Sequence, residues 1–165
     1  MENTLETEHF YVIGVNSIRR RYHTRGHISL SQIQEIDLKL QQAPAHKLKL
    51  IAAHQPFYTP PDHSHGVKDC PMLGRIALEQ WSQHGLNGLL HGHLHHAAVY
   101  DLNQIYQLGV SHPVLDIHAG TATSYRLHAG LPNSLNIILP NADVQHLSFN
   151  AETNRFELMQ QNTSD

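Results

Sequence analysis

The chain has 165 residues, 40% hydrophobic and 15% charged, with a formal net charge of −3. That length and composition suit one globular domain, residues 1–165, with a core of its own. The negative balance argues against a nucleic-acid polymer as partner, because phosphate contacts need a basic face.

In chain order, the acidic and polar start "MENTLETEHF" does not read as a secretory signal. "HFYVIGVNS" (His9–Ser17) is rich in β-branched and aromatic residues and predicts a strand. A polar loop follows, in which Arg19, Arg20 and Arg21 are expected to be solvated. In "ISLSQIQEIDLKLQQ", Ser29 with Gln32 spells a capping box and Ile28 with Ile33 a hydrophobic staple. Leu30, Ile33, Ile36 and Leu40 then recur at helical spacing, and the helix stops before Pro44. "KLKLIAAH" (Lys47–His54) reads as a mostly buried strand. Residues 55–68 form a proline-punctuated loop. A second helix is expected after it, with Asp69 as cap, Pro71 in the first turn, and Leu73, Ile76, Ala77 and Trp81 on one face. Gly85 ends it.

"LNGLLHG" is another short apolar strand, so residues 47–92 read as a βαβ unit with parallel strands. Beyond it, "HHAAVYDL", "PVLDIHAG", "SLNIILP", "DVQHLSFN" and "NRFELMQ" are short strands broken by turn residues. They predict a mainly antiparallel β meander. The fold class is therefore α/β. No internal repeat, linker or low-complexity tract is visible. No apolar run is long enough to span a bilayer. One cysteine, Cys70, leaves no intrachain disulfide and fits a reducing cytoplasm.

The outlying feature is 16 histidines. Random placement of that many yields about 1.6 His-x-His pairs, against three here: His63/His65, His91/His93 and His93/His95. Spacing alone therefore decides little, and position must carry the argument. Ligands in parallel α/β sheets sit outside the carboxyl ends of strands. His54 ends the first strand of the βαβ unit, and His93 and His95 follow the second. In extended backbone His93 and His95 would face one way and Leu94 the core. Gly92 would permit a tight turn that a side chain would block.

These stretches carry a resemblance. "LIAAHQPF" followed after a helix by "LLHGHLHH" resembles the C-terminal half of calcineurin-like metallophosphoesterases. "GHISLSQIQEI" and "AGTATSYRLHAGLPNSLNIILP" are similar to segments of the bacterial group like class III cyclic-nucleotide phosphodiesterases. The resemblance covers roughly residues 9–160 and implies the βαβ-containing half of that family's α/β sandwich. It implies a binuclear centre of Fe, Mn or Zn ions with His54, His93 and His95 as metal ligands, and a small phosphate ester as substrate. His91, by alternation, is a candidate for substrate contact. His63 and His65 lie in a loop that would overhang the site.

The family's Gly-Asp and Gly-Asn-His motifs are absent from this sequence, and no Asp-x-His precedes the Gly-His-x-His motif. The "DIH" of Asp116 and His118 falls after the Gly-His-x-His motif, so the family role does not transfer to it. The chain therefore reads as a fragment that binds metal more weakly than a complete site and has little activity alone. Its strand at 9–17 would expose an edge and an apolar face, inviting self-association or pairing with a missing N-terminal half. Two other classes remain open: a histidine-rich metal-binding module without catalysis, and an interaction domain with vestigial histidines. Cys70, Thr121, Thr123, Ser124 and Trp81 read as structural.

Overall fold

The computed structural model describes residues 3–22, 25–61, 67–125, 127 and 130–159. His63 and His65 lie outside the described residues. The elements in order are β1 (Thr4–Glu6), β2 (Phe10–Gly14), α1 (Leu30–Gln42), β3 (Leu48–Ala52), α2 (Gly74–Ser82) and β4 (Leu86–His91). Then come β5 (Ala98–Asp101), α3 (Leu102–Tyr106), β6 (Leu115–His118), β7 (Ser134–Ile138), β8 (Val144–Asn150) and β9 (Arg155–Leu158).

Six strands form one sheet in the order β1-β2-β3-β4-β6-β5. β2, β3, β4 and β6 run parallel, while β1 and β5 are antiparallel edges. β7, β8 and β9 make a separate antiparallel sheet. The α/β class and the closing meander therefore hold. The meander is shorter than its sequence suggests, because β5 and β6 join the main sheet.

Local signals explain α1 well. Both arms of the Ser29–Gln32 capping box are formed. Ile28 and Ile33, the staple pair, are each 1% exposed. Leu30 is the one member of the expected stripe left in solvent, at 59% exposure. α2 begins later than its sequence suggests, with Leu73 at the cap position and no side-chain cap. Cys70 precedes Pro71, and a residue before proline is disfavoured in helical geometry. Asp69 thus ends a separate 3-10 turn, Val67–Asp69, and does not cap the helix. On α2, Ala77 and Trp81 are buried as expected, while Ile76 is 49% exposed.

The core lies between the helices and one face of the main sheet. Ile13, Ile51 and Leu89 line up across β2, β3 and β4 and pack with Ile33, Ile36, Leu40, Ala77, Leu78 and Trp81. Trp81 Nε1–H donates to the Ile33 carbonyl at 3.0 Å, so its polar end is satisfied inside the core. The same lateral row continues into β6 with Asp116. One row further toward the carboxyl end, His91 pairs with His118. The inner face thus changes from apolar to polar at the carboxyl ends of β4 and β6.

The expected open edge at β2 is covered, because β1 pairs along it from Thr4↔Ile13 to Glu6↔Tyr11. A turn closes this hairpin, with the Phe10 N–H donating to Thr7 Oγ1 at 3.0 Å. No helix among the described residues is long and apolar enough to cross a membrane.

Candidate metal centre

Two groups of ionisable side chains meet at the carboxyl ends of the parallel strands. The first is an open rim, where ligands bind in this class of sheet. His54 leaves β3 and His93 leaves β4, and the His93 N–H donates to the His54 carbonyl at 3.2 Å. The polar turn after β2 fixes that segment. Buried Ser17 accepts the N–H groups of His54 (3.2 Å) and Gln55 (3.3 Å) and donates its own proton to Gln55 Oε1 at 2.5 Å. The side chains then continue the contact. His93 Nδ1 lies 3.3 Å from His54 Nε2, with the rings at 77° to each other.

The opposite nitrogen of the same ring, His93 Nε2, lies 3.4 Å from Asp69 Oδ2. The Asp69 side chain is 2% exposed and that of His93 11%. The main chain of Asp69 is tied down as well, its carbonyl accepting from the Gly26 N–H at 2.9 Å. A residue read as a helix cap is thus the carboxylate of the rim. Burial lowers the pKa of His54, and the neighbouring imidazoles of His93, His95 and His91 lower it further. His54 is therefore held toward the neutral form, which is the form that ligates metal.

His95 does not follow the extended geometry expected of a His-x-His pair. Its N–H reaches back to the Gly92 carbonyl at 3.3 Å, closing a turn, and its φ is +55°. Its Nδ1 meets Thr121 Oγ1 at 3.1 Å. Leu94 does turn inward, at 3% exposure. The turn does not depend on Gly92 for room, since an added Cβ there would meet nothing within 4 Å. His54 and His93 are brought together, and His95 is turned to Thr121.

The second group is buried. His91 is not presented at the rim; it is 4% exposed, with Asp116 at 0% and His118 at 1%. Asp116 lies between two imidazoles, with His91 Nε2 at 3.1 Å from Oδ1 and His118 Nε2 at 3.0 Å from Oδ2. The two rings stack edge to face with centroids 4.0 Å apart. Among the described residues this is the one set of three or more His, Cys, Asp or Glu whose donor atoms all lie within 4.8 Å of one another. Burial raises the Asp116 pKa, but the attraction and hydrogen bonds of His91 and His118 outweigh it, and the net shift is downward. Burial lowers the pKa of His118 against the pull of Asp116.

Cys70 lies close by but is not a nucleophile. Burial pushes its thiol up to about 12. That leaves it protonated and inert near neutrality.

Comparison with known proteins gives a sparse picture. No protein-family profile matches the chain. No curated protein is significantly similar to it. Among solved structures, it is similar to a candidate 5'-nucleotidase from Staphylococcus aureus, solved in complex with alpha-ketoglutarate. The TM-score is 0.47 and the identity 14%, over 95% of this chain and 28% of the other. The chain thus spans under a third of the length of that protein.

Proposed function

We propose that this chain is the C-terminal half of a metal-dependent hydrolase of small phosphate esters, of the calcineurin-like kind its motifs resemble. The observation that carries this reading is the contact line His54–His93–Asp69 across the carboxyl ends of β3 and β4. Two imidazoles, one of them backed by a carboxylate, suit an ion of the Mn, Fe or Zn class. His54 and His93 would hold it, with Asp69 bracing the His93 ring from its opposite nitrogen, and His95 joins them if its ring exchanges Thr121 for the ion. An ion bound there supplies the positive charge that polarises a phosphoryl oxygen.

The chain's own residues arrange that site. Ser17 fixes the backbone at His54. Asp69 orients the His93 ring so that Nδ1 faces His54. Burial and the neighbouring imidazoles hold His54 toward the neutral form. The bridging aspartate, the asparagine ligand and the leaving-group histidine of the family would come from a second polypeptide segment carrying the Asp-x-His, Gly-Asp and Gly-Asn-His motifs. Within the family, the segments quoted above are most similar to the cyclic-nucleotide phosphodiesterase-like group. The single cysteine suits a reducing cytoplasm.

The test is hydrolysis of bis(p-nitrophenyl) phosphate with Mn(II). The purified chain should turn over slowly or not at all. A polypeptide supplying the missing motifs should restore turnover, and His93→Ala should abolish it again. Restored turnover that survives His93→Ala would overturn the reading. A metal-binding module without catalysis would lose affinity gradually as any histidines are removed. The proposed site depends sharply on His54 and His93.

A further inference from the structure

The rim leaves the buried cluster of His91, Asp116 and His118 unused. We propose that these three side chains form a separate, structural site for one divalent transition-metal ion, which clamps β4 to β6.

Charge is the first argument. A carboxylate removed from water needs a positive partner to offset its lost hydration. The described partners of the Asp116 side chain are the two imidazoles alone. As neutral rings they satisfy both oxygens with hydrogen bonds but leave the negative charge in place. A dication supplies that charge without protonating either ring.

The ring nitrogens give the second argument. His91 Nδ1 is buried and has no hydrogen-bond partner. No partner at Nδ1 therefore fixes the tautomer that protonates Nε2, and with its proton on Nδ1 the ring turns the Nε2 lone pair toward Asp116. A neutral imidazole presents one lone pair to a metal and donates its other N–H.

Preorganisation is the third. His91 faces His118 in parallel register, and Asp116 sits two residues before His118 on the same face of β6. Backbone hydrogen bonds of the sheet interior therefore hold all three donors within 4.8 Å, with no loop to order. Two imidazoles and a carboxylate select zinc or iron(II) over magnesium or calcium. Near-complete burial denies access to an ester substrate, so an ion here stabilises the sheet and does no chemistry.

The site is tested in the full chain with the rim disabled by His54→Ala and His93→Ala. After chelator treatment, zinc is added and excess removed by gel filtration. One tightly held ion per chain and a higher melting temperature are expected. Asp116→Asn in the same background, which keeps the shape and removes the charge, should weaken zinc binding roughly tenfold or more. In the rim variant itself, the NMR imidazole signals of His91 and His118 should shift with the first equivalent of zinc. That measurement needs no substitution inside the cluster. Failure of the rim variant to retain an ion, or unmoved His91 and His118 signals, would mean that the cluster is only a hydrogen-bonded triad. Neither result bears on phosphoesterase activity at the rim.

Discussion

His93 Nδ1 stands 3.3 Å from His54 Nε2, so the carboxyl ends of β3 and β4 are joined by side chains as well as by backbone. The other face of the same ring meets Asp69, so one imidazole is held between a potential ligand and a carboxylate. Rotating the His93 ring would break both contacts together.

This arrangement makes Asp69 a measurable part of the rim. Asp69→Asn should leave the fold intact, because the backbone carbonyl that Gly26 uses is unchanged. Manganese affinity at the rim should fall about 10–100-fold, the usual effect of removing a carboxylate that orients or shares a metal site. The titration is followed at the His54 imidazole NMR signal, which separates the rim from the buried cluster. Unchanged affinity would remove Asp69 from the site.

Two glycines that look alike in sequence should respond in opposite ways to alanine. At Gly26 an added Cβ would lie 2.8 Å from the Asp69 carbonyl oxygen and 2.9 Å from the Pro71 nitrogen, both backbone atoms. Gly26→Ala should therefore cost about 1–3 kcal/mol and displace the segment that carries Asp69. At Gly92 the added Cβ meets nothing within 4 Å. Gly92→Ala should be neutral, or stabilising by up to about 1 kcal/mol through the unfolded chain. Urea denaturation of the two variants decides the matter, and a destabilised Gly92→Ala would contradict the open space at that position.

The features that were legible in the sequence are those set by neighbours in the chain. The capping box and staple of α1 and the short apolar runs of β2, β3 and β4 depend on a few adjacent residues. They fall where composition and periodicity place them. The buried cluster was not legible because it depends on strand order. β6 inserts between β4 and β5, which brings Asp116 beside His91 across 25 residues of sequence. No local pattern encodes that crossover, and "DIH" on its own looked like a stray motif. Asp69 departs from its local pattern for a different reason. An aspartate ahead of a helical stripe usually caps it, but the Cys70–Pro71 step separates Asp69 from the helix and frees its carboxylate for His93. His95 departs from extended geometry because the chain turns immediately after β4.

The start of α1 offers a test of cooperation between local contacts. Ser29 Oγ accepts the Gln32 N–H, and Gln32 Oε1 accepts the Ser29 N–H at 3.1 Å. Gln32 also receives Arg19 Nη2 at 2.6 Å and donates to the Asn16 carbonyl at 3.0 Å, so it ties the loop after β2 to the helix. Ser29→Ala should cost about 1 kcal/mol. Gln32→Ala should cost more, because it releases the loop as well. The double variant should lose less than the two single losses combined, since the residues share one hydrogen-bond network. Strict additivity in urea titrations would show that the two arms act independently.

The second sheet supplies a pH dependence of its own. His146 on β8 has its pKa lowered by burial first and by the charge of His96 second. Its Nδ1 lies 2.8 Å from Asn136 Oδ1 on the neighbouring strand, a contact the neutral ring makes as an N–H donor. The folded pKa is below the unfolded value of about 6.5. Between the two values the unfolded chain binds more protons than the folded one, so stability rises with pH through that window. Above about pH 6.5 the ring is neutral in both states and adds no pH dependence. As the pH falls below that point, its protonation favours unfolding until the folded form is protonated too. Replacing the ring with a non-titrating donor, His146→Gln, removes this contribution. The variant should therefore lose less stability than the parent when urea midpoints are compared at pH 7.5 and pH 5.5. An equal or greater loss in the variant would mean that His146 is as easily protonated in the folded chain as in the unfolded one.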